Sequence, residues 1–193
     1  MQLPLSLREM SRNMWWWSSE RKKRRALSQA LENYPIYAPP HHGEGITRQQ
    51  GRENYAYFLV HKAERVEDML AFLRHFSIEC DLSPSDIVKI GDWLWEYGEF
   101  LLPGRGYPEC ILSASNYEPP FSGPFHGLNV INDIGIYIGN YLVIKGNGRL
   151  YWELYANKKD KDMHYFLHPC VSGLDPIIGG CVANFVYGRD TGV

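Results

Sequence analysis

The apolar positions of the chain fall into runs of different period, and the most continuous run lies within residues 123–155. Val130, Ile131, Ile134, Ile138, Tyr141 and Leu142 recur at spacings of one, three and four, which 3.6 residues per turn gathers onto one side of a helix. Ile136, Val143 and Ile144 fall off that stripe, so the helix is apolar over much of its girth and is predicted to be buried. Its β-branched residues also suit a strand, but the run is too long and alternates too little for one. Gly135 and Gly139 each cost about 1 kcal/mol against Ala in an exposed helix interior, and they predict close approach by a neighbouring backbone. Gly146-Asn147-Gly148 ends the helix with left-handed geometry supplied by glycine. In Arg149 to Tyr155, Leu150, Trp152 and Leu154 alternate with Tyr151, Glu153 and Tyr155, the period of a strand with one apolar face.

The same reading orders the rest of the chain. Ser18 or Ser19 caps a helix that opens with Glu20 and runs to about Asn33. Residues 34–45 form a Pro/Gly connector. Residues 48–61, with Tyr55 to Val60 at their centre, fit a strand or a helix end equally well. From Glu64 to Phe76, Val66, Met69, Leu70, Leu73 and Phe76 mark a helical stripe, with Arg65, Glu67, Asp68 and Arg74 outside it. Ser83 is an N-cap and Pro84 a first helical residue for a helix through Ile87, Ile90, Trp93, Leu94 and Tyr97. Residues 103–126 carry five prolines and three glycines and form a long braced loop. Met163 to His168 reads as a second strand, in a hairpin with residues 149–155. Asp175-Pro176 opens a last helix with Ile177, Ile178, Cys181, Val182, Phe185 and Val186 on one face. The expected fold class is α+β: a small antiparallel sheet packed against several helices around a central, buried, glycine-containing helix. Residues 1–45 form a basic, Trp-containing helical arm and its connector, and 46–193 a single domain.

The run from Gly123 to Tyr155, preceded by Tyr117-Glu118-Pro119-Pro120 and by the helix ending in Asp92-Trp93-Leu94, resembles a family of uncharacterised bacterial α+β domains. Those carry a Pro-rich lead, a Gly-Leu-Asn-Val…Asp-x-Gly-x-x-x-Gly-Glu helix and a strand with Arg-x-x-Trp. The resemblance covers roughly residues 63–190, and it implies a likeness to the small proteins that sit beside bacterial toxins as immunity factors. Asn140 stands where that pattern has Glu, so an acid/base role there is lost, because an amide does not titrate near neutral pH.

Charge sharpens the picture at one place. The chain carries a formal −2, yet residues 8–25 hold seven basic and two acidic residues, a local +5, leaving −7 for the rest. Arg21, Lys22, Lys23, Arg24 and Arg25 lie beside Trp15, Trp16 and Trp17, a pairing suited to phosphates and stacked bases or to an anionic membrane surface. A solvated helix face with its tryptophans packed inward is the plainer reading. The four cysteines, Cys80, Cys110, Cys170 and Cys181, form no CxxC and read as buried free thiols. Residues 1–14 include Arg8, Glu9 and Arg12 and lack the apolar core of a signal peptide, so a cytoplasmic protein is expected. Asn129, Asn132, Asp133 and Asn140 interrupt the apolar run too often for a membrane span.

Candidate chemistry is sparse. Asp133 and Glu153 could act as an acid/base pair if buried side by side; otherwise they are a helix-surface Asp and an outward strand Glu bonded to Arg149 or Arg105. His164 and His168 on a strand stand about 13 Å apart, too far for one ion, and His41-His42 with Glu44 lack further ligands. No GxSxG, Walker or dinucleotide motif occurs, and Ser113 and Ser115 have no placed base. The expectation is a non-catalytic protein-binding domain of immunity type that takes a cognate toxin and no cofactor or metal. A nucleic-acid- or membrane-contacting protein is the alternative. Candidate binding residues are Trp15 to Trp17, Arg21 to Arg25, Asp133 and Glu153.

Overall fold

A computed structural model describes residues 7–43, 45–101, 119–161 and 166–172, and side chains from residue 19 onward apart from that of 160. Its elements are α1 (Leu7–Leu31), α2 (Arg48–Arg74), α3 (Pro84–Tyr97), α4 (Leu128–Lys145), β1 (Trp152–Leu154) and β2 (Pro169–Val171). The fold is α+β, a two-stranded antiparallel sheet packed against helices. Of the loop read at 103–126, residues 103–118, including Arg105, Cys110, Ser113 and Ser115, lie outside the described residues. So do Glu44, His164 and the last helix read at 175–186 with Cys181.

Helix α4 is the expected central element. Its first half, from Leu128 to Ile136, is buried on nearly every side, and Lys145 is its last residue. The left-handed positions of the break are Asn147 and Gly148, at φ 48° and 80°, whereas Gly146 stays helical. Gly139 makes room for a side chain and not for the backbone expected. A Cβ there would lie 2.3 Å from the Trp152 ring.

Residues 48–61 are helical and continuous with the stripe that follows, so α2 is one helix of 27 residues. Its start is set by a reciprocal cap in which Thr47 and Gln50 satisfy each other's backbone N–H groups. Helix α1 begins earlier than expected. Ser18 and Ser19 are interior, because the preceding Leu, Arg, Glu and Met residues are good helix formers with no breaker among them. Ser83 and Pro84 open α3 as read.

Aromatic rings of α2, α3 and the segments that follow α1 and α2 meet in the core. Phe72 of α2 sits edge-on to Trp93 of α3 at 5.5 Å and to Tyr34 at 5.3 Å, while Phe76 packs against Trp93 and Tyr97. Leu27 of α1 and Tyr34 of the following segment belong to this same core. The hairpin differs in register from the sequence reading. Trp152 pairs with Val171, Glu153 with Cys170 and Leu154 with Pro169. This strand follows His168; of the residues read as the second strand, 166–168 form a turn and 163–165 lie outside the described residues. Leu167, at φ 65°, turns the chain into that strand while its N–H donates to Tyr155 O. The hairpin rests on α2 and α4: Trp152 meets Phe58 edge-on at 4.8 Å, Tyr55 Oη donates to Trp152 O, and Trp152 Nε1 donates to Asn140 Oδ1 at 2.9 Å.

Three glycines should separate by what surrounds them. At Gly127 a Cβ would lie 2.1 Å from the Leu101 carbonyl oxygen, and backbone cannot swing aside. Gly127→Ala is expected to cost about 3 kcal/mol or more, and Gly139→Ala, facing a ring that can shift, about 1–3 kcal/mol. Gly91 on α3 faces open space, so Gly91→Ala should stabilise by about 0.5–1 kcal/mol. Urea midpoints of the three variants test the order.

Candidate functional site

The polar residues that interrupt the apolar run of α4 form a seam. Asn129, Asp133, Tyr137 and Asn140 follow one another at intervals of four, four and three, one stripe of the helix, and each holds a different part of the chain. Asn129 accepts from the Tyr37 N–H and donates to Phe121 O and His126 O. Tyr137 Oη donates to Asp86 Oδ2 at 2.6 Å and accepts from the Leu82 N–H. Asn140 takes the Trp152 indole.

Asp133 is the centre of the seam. It is fully buried, which corrects the surface position considered for it. Arg65 Nε donates to Oδ1 at 3.0 Å, Arg65 Nη2 to Oδ2 at 2.5 Å, and Tyr34 Oη to Oδ2 at 2.6 Å; Asn132 Nδ2 adds a fourth donor. Arg65 is only 4% exposed and also donates to Pro35 O. The sequence reading set Arg65 outside the apolar stripe. It lies in register with Phe58, Met69 and Phe72 on the buried face of α2, and the aspartate supplies the reason a guanidinium can stay there. Burial pushes the Asp133 carboxyl up to about 6, against the pull of Arg65, Tyr34 and Asn132, so the pair is ionic at neutral pH. Burial also raises the Tyr34 phenol, helped by the neighbouring Asp133 charge, which keeps it a donor.

Asp86 repeats the arrangement at smaller scale. Its side chain accepts from Tyr137 Oη, from the Ser83 and Asp81 N–H groups and from Lys89. Burial pushes its carboxyl up, but these donors outweigh that and hold it below the usual carboxylate range.

Glu153 is not brought to Asp133. It stands half-buried on β1 opposite Cys170 and near Tyr55, and among the described residues no bond joins it to Arg149. Burial, with Glu153 beside it, pushes the Cys170 thiol up to about 11. Cys80 and Cys170 are free. His41 pairs with Glu53, and among the described residues no group of three His, Cys, Asp or Glu could hold a metal ion.

The basic run splits across α1. Lys23 forms a surface ion pair with Glu96 at 2.9 Å and lies over the Tyr97 ring, and Arg24 binds Glu20 and covers Phe100. Arg21, Lys22 and Arg25 are exposed. The tryptophans at 15, 16 and 17 fall within α1, but their side chains lie outside the described residues. Arg24 borders an open cleft of about 560 Å³ whose other polar lining is Ser28, Glu32 and His126, with His126 Nε2 donating to Leu31 O. Among the described residues, no helix is long and apolar enough to cross a membrane. No family model, curated protein or solved structure matches the chain.

Two signals for this arrangement stand in the sequence: an aspartate inside an apolar helix requires a counter-charge, and Arg65 occupies an apolar register. Removing one partner strands a buried charge, so Arg65→Met should cost about 3–5 kcal/mol. Replacing the whole cluster, as Arg65→Met with Asp133→Leu and Tyr34→Phe, should cost less than the single change. Equal or greater loss in the triple variant, by urea unfolding, would refute the assignment. The pH dependence has two windows. Asp133 has a folded value above its ordinary 3.8, so its contribution declines as pH rises from 3.8 to about 6. Asp86 has a folded value below 3.8, so its contribution is present above 3.8 and is lost as pH falls below it. Asp86→Asn should therefore be unfolded more easily at neutral pH but lose less on acidification than the parent protein.

Proposed function

We propose that the protein is a non-catalytic protein-binding domain, most concretely an immunity-type protein that occludes a basic bacterial toxin. The observation that carries this reading is the use made of Asp133. The carboxylate best placed in the sequence for acid/base work is fully covered and held by four donors of its own core. Asp86, also fully buried, is bound in the same way. These groups fasten helices together and present nothing to a substrate. The −7 balance of residues 26–193 complements a cationic partner and favours fast association with it. The Gly-Leu-Asn-Val helix motif supports the immunity form of the proposal. A cytoplasmic location goes with it, and the free thiols of Cys80 and Cys170 suit a reducing compartment.

A second reading, contact with nucleic acid or an anionic membrane, draws support from the exposed Arg21, Lys22 and Arg25. It is weakened by Lys23 and Arg24, whose charges are engaged by Glu96 and Glu20.

Co-expression with the products of neighbouring genes, followed by affinity capture of the full chain, tests the first reading. The expected result is capture of one growth-inhibiting product and rescue of growth; no capture and no rescue would count against it. Reversing Arg21, Lys22 and Arg25 to Glu should leave that capture intact. If those changes instead abolish binding to duplex DNA or anionic vesicles that the parent binds with a steep salt slope, the second reading takes its place.

A further inference from the structure

Helix α2 buries one face through Phe58, Arg65, Met69 and Phe72, and its opposite face carries Arg52, Ala56, Leu59, Val60, Ala63 and Glu67. All six are exposed, Val60 by 75% and Leu59 by 43%. At about 100° per residue they lie within about 50° of a line passing between Leu59 and Val60, so they form one seam. The seam is palindromic about that line: Leu59 mirrors Val60, Ala56 mirrors Ala63, and Arg52 mirrors Glu67.

We infer that this face is a docking surface for a second copy of the chain, with the two α2 helices antiparallel about a two-fold axis at Leu59–Val60. A two-fold axis presents the same patch on both partners, so the mirrored residues are the ones that meet. Leu59 then packs on Val60 twice. Ala56 opposes Ala63 twice, and their small side chains let the helices approach to the short end of the 8–10 Å range. Arg52 faces Glu67 twice.

Charge along the helix supports the same occupant. On the seam itself Arg52 stands toward the N-terminus of α2 and Glu67 toward its C-terminus. An antiparallel second copy sets each Arg52 against the other's Glu67 and aligns the two helix dipoles oppositely. The seam from Arg52 to Glu67 is only about 22 Å long at 1.5 Å per residue. It is short of the roughly 800 Å² per partner of a standard interface, so the association belongs to the weak, concentration-dependent class.

Sedimentation equilibrium of the full chain, from about 1 μM to about 500 μM, reads the outcome directly. The expected result is a reversible monomer–dimer equilibrium. Val60→Glu should abolish it while leaving the thermal midpoint of the monomer unchanged, since Val60 is largely in solvent. Arg52→Glu should weaken the dimer by about tenfold, because it sets like charges together at two places. Arg52→Glu with Glu67→Arg should restore it. A chain that stays monomeric throughout overturns the inference, as does a dimer indifferent to Val60→Glu. A dimer lost with Val60→Glu, in which Glu67→Arg does not restore what Arg52→Glu removes, overturns the antiparallel register.

Discussion

The ion pair between Arg65 and Asp133 is the constraint around which the described structure is arranged. Two charges removed from water carry a desolvation cost of several kcal/mol each, which only close geometry and further hydrogen bonds can offset. The chain meets that demand with a two-point guanidinium–carboxylate contact, the Tyr34 phenol, the Asn132 amide and the Pro35 carbonyl. Each donor or acceptor comes with a position in the fold. Helix α2 can turn about its axis only so far before Arg65 loses its partner. The segment after α1 must bring Tyr34 inward, and α4 must keep Asp133 facing α2. Apolar packing alone would tolerate many rotations of three helices; this cluster tolerates few.

The rest of the α4 seam extends the same logic to other elements. Asn129 holds the Tyr37 backbone and the turn before α4, Tyr137 joins the start of α3 through Asp86, and Asn140 receives the indole of the hairpin. The amide at position 140 thus has a structural use, set by the Trp152 ring that also fills the space at Gly139. A Glu there would accept the same indole proton but would bring a charge to a half-buried site.

Much of this was legible in the pattern of residues, and what was not has physical reasons. The course of α4 and the start of α3 follow from helical period and from the Ser-Pro cap, both local signals. Arg65 was misplaced because a charged residue reads as solvent-facing unless its partner is known, and that partner lies 68 positions later. Residues 34–45 read as a connector from their prolines and glycines. Yet Tyr34 and Tyr37 are buried, since turn-forming residues determine the path of a backbone but not whether its aromatics find a core. The second strand was read at 163–168 and not at Pro169–Val171 because three-residue strands carry too short an alternation to set register, which here depends on the left-handed turn at Leu167. Asp133 and Glu153 were the candidate acids because both stand in apolar surroundings. Yet Asp133 meets Arg65 and Tyr34 while Glu153 stands opposite Cys170 on the hairpin, and which partners each acid finds is tertiary information.

The hairpin has a further property that follows from its position. Cys170 sits on β2 with 2% of its surface in contact with solvent and its proton held to about pH 11. A thiol so shielded is a poor nucleophile, since the thiolate is the reactive form. Any electrophile or oxidant that reaches it must wait for a local opening around β2. Its rate of labelling therefore clocks the transient opening of this one corner, a window onto local breathing that needs no engineered probe.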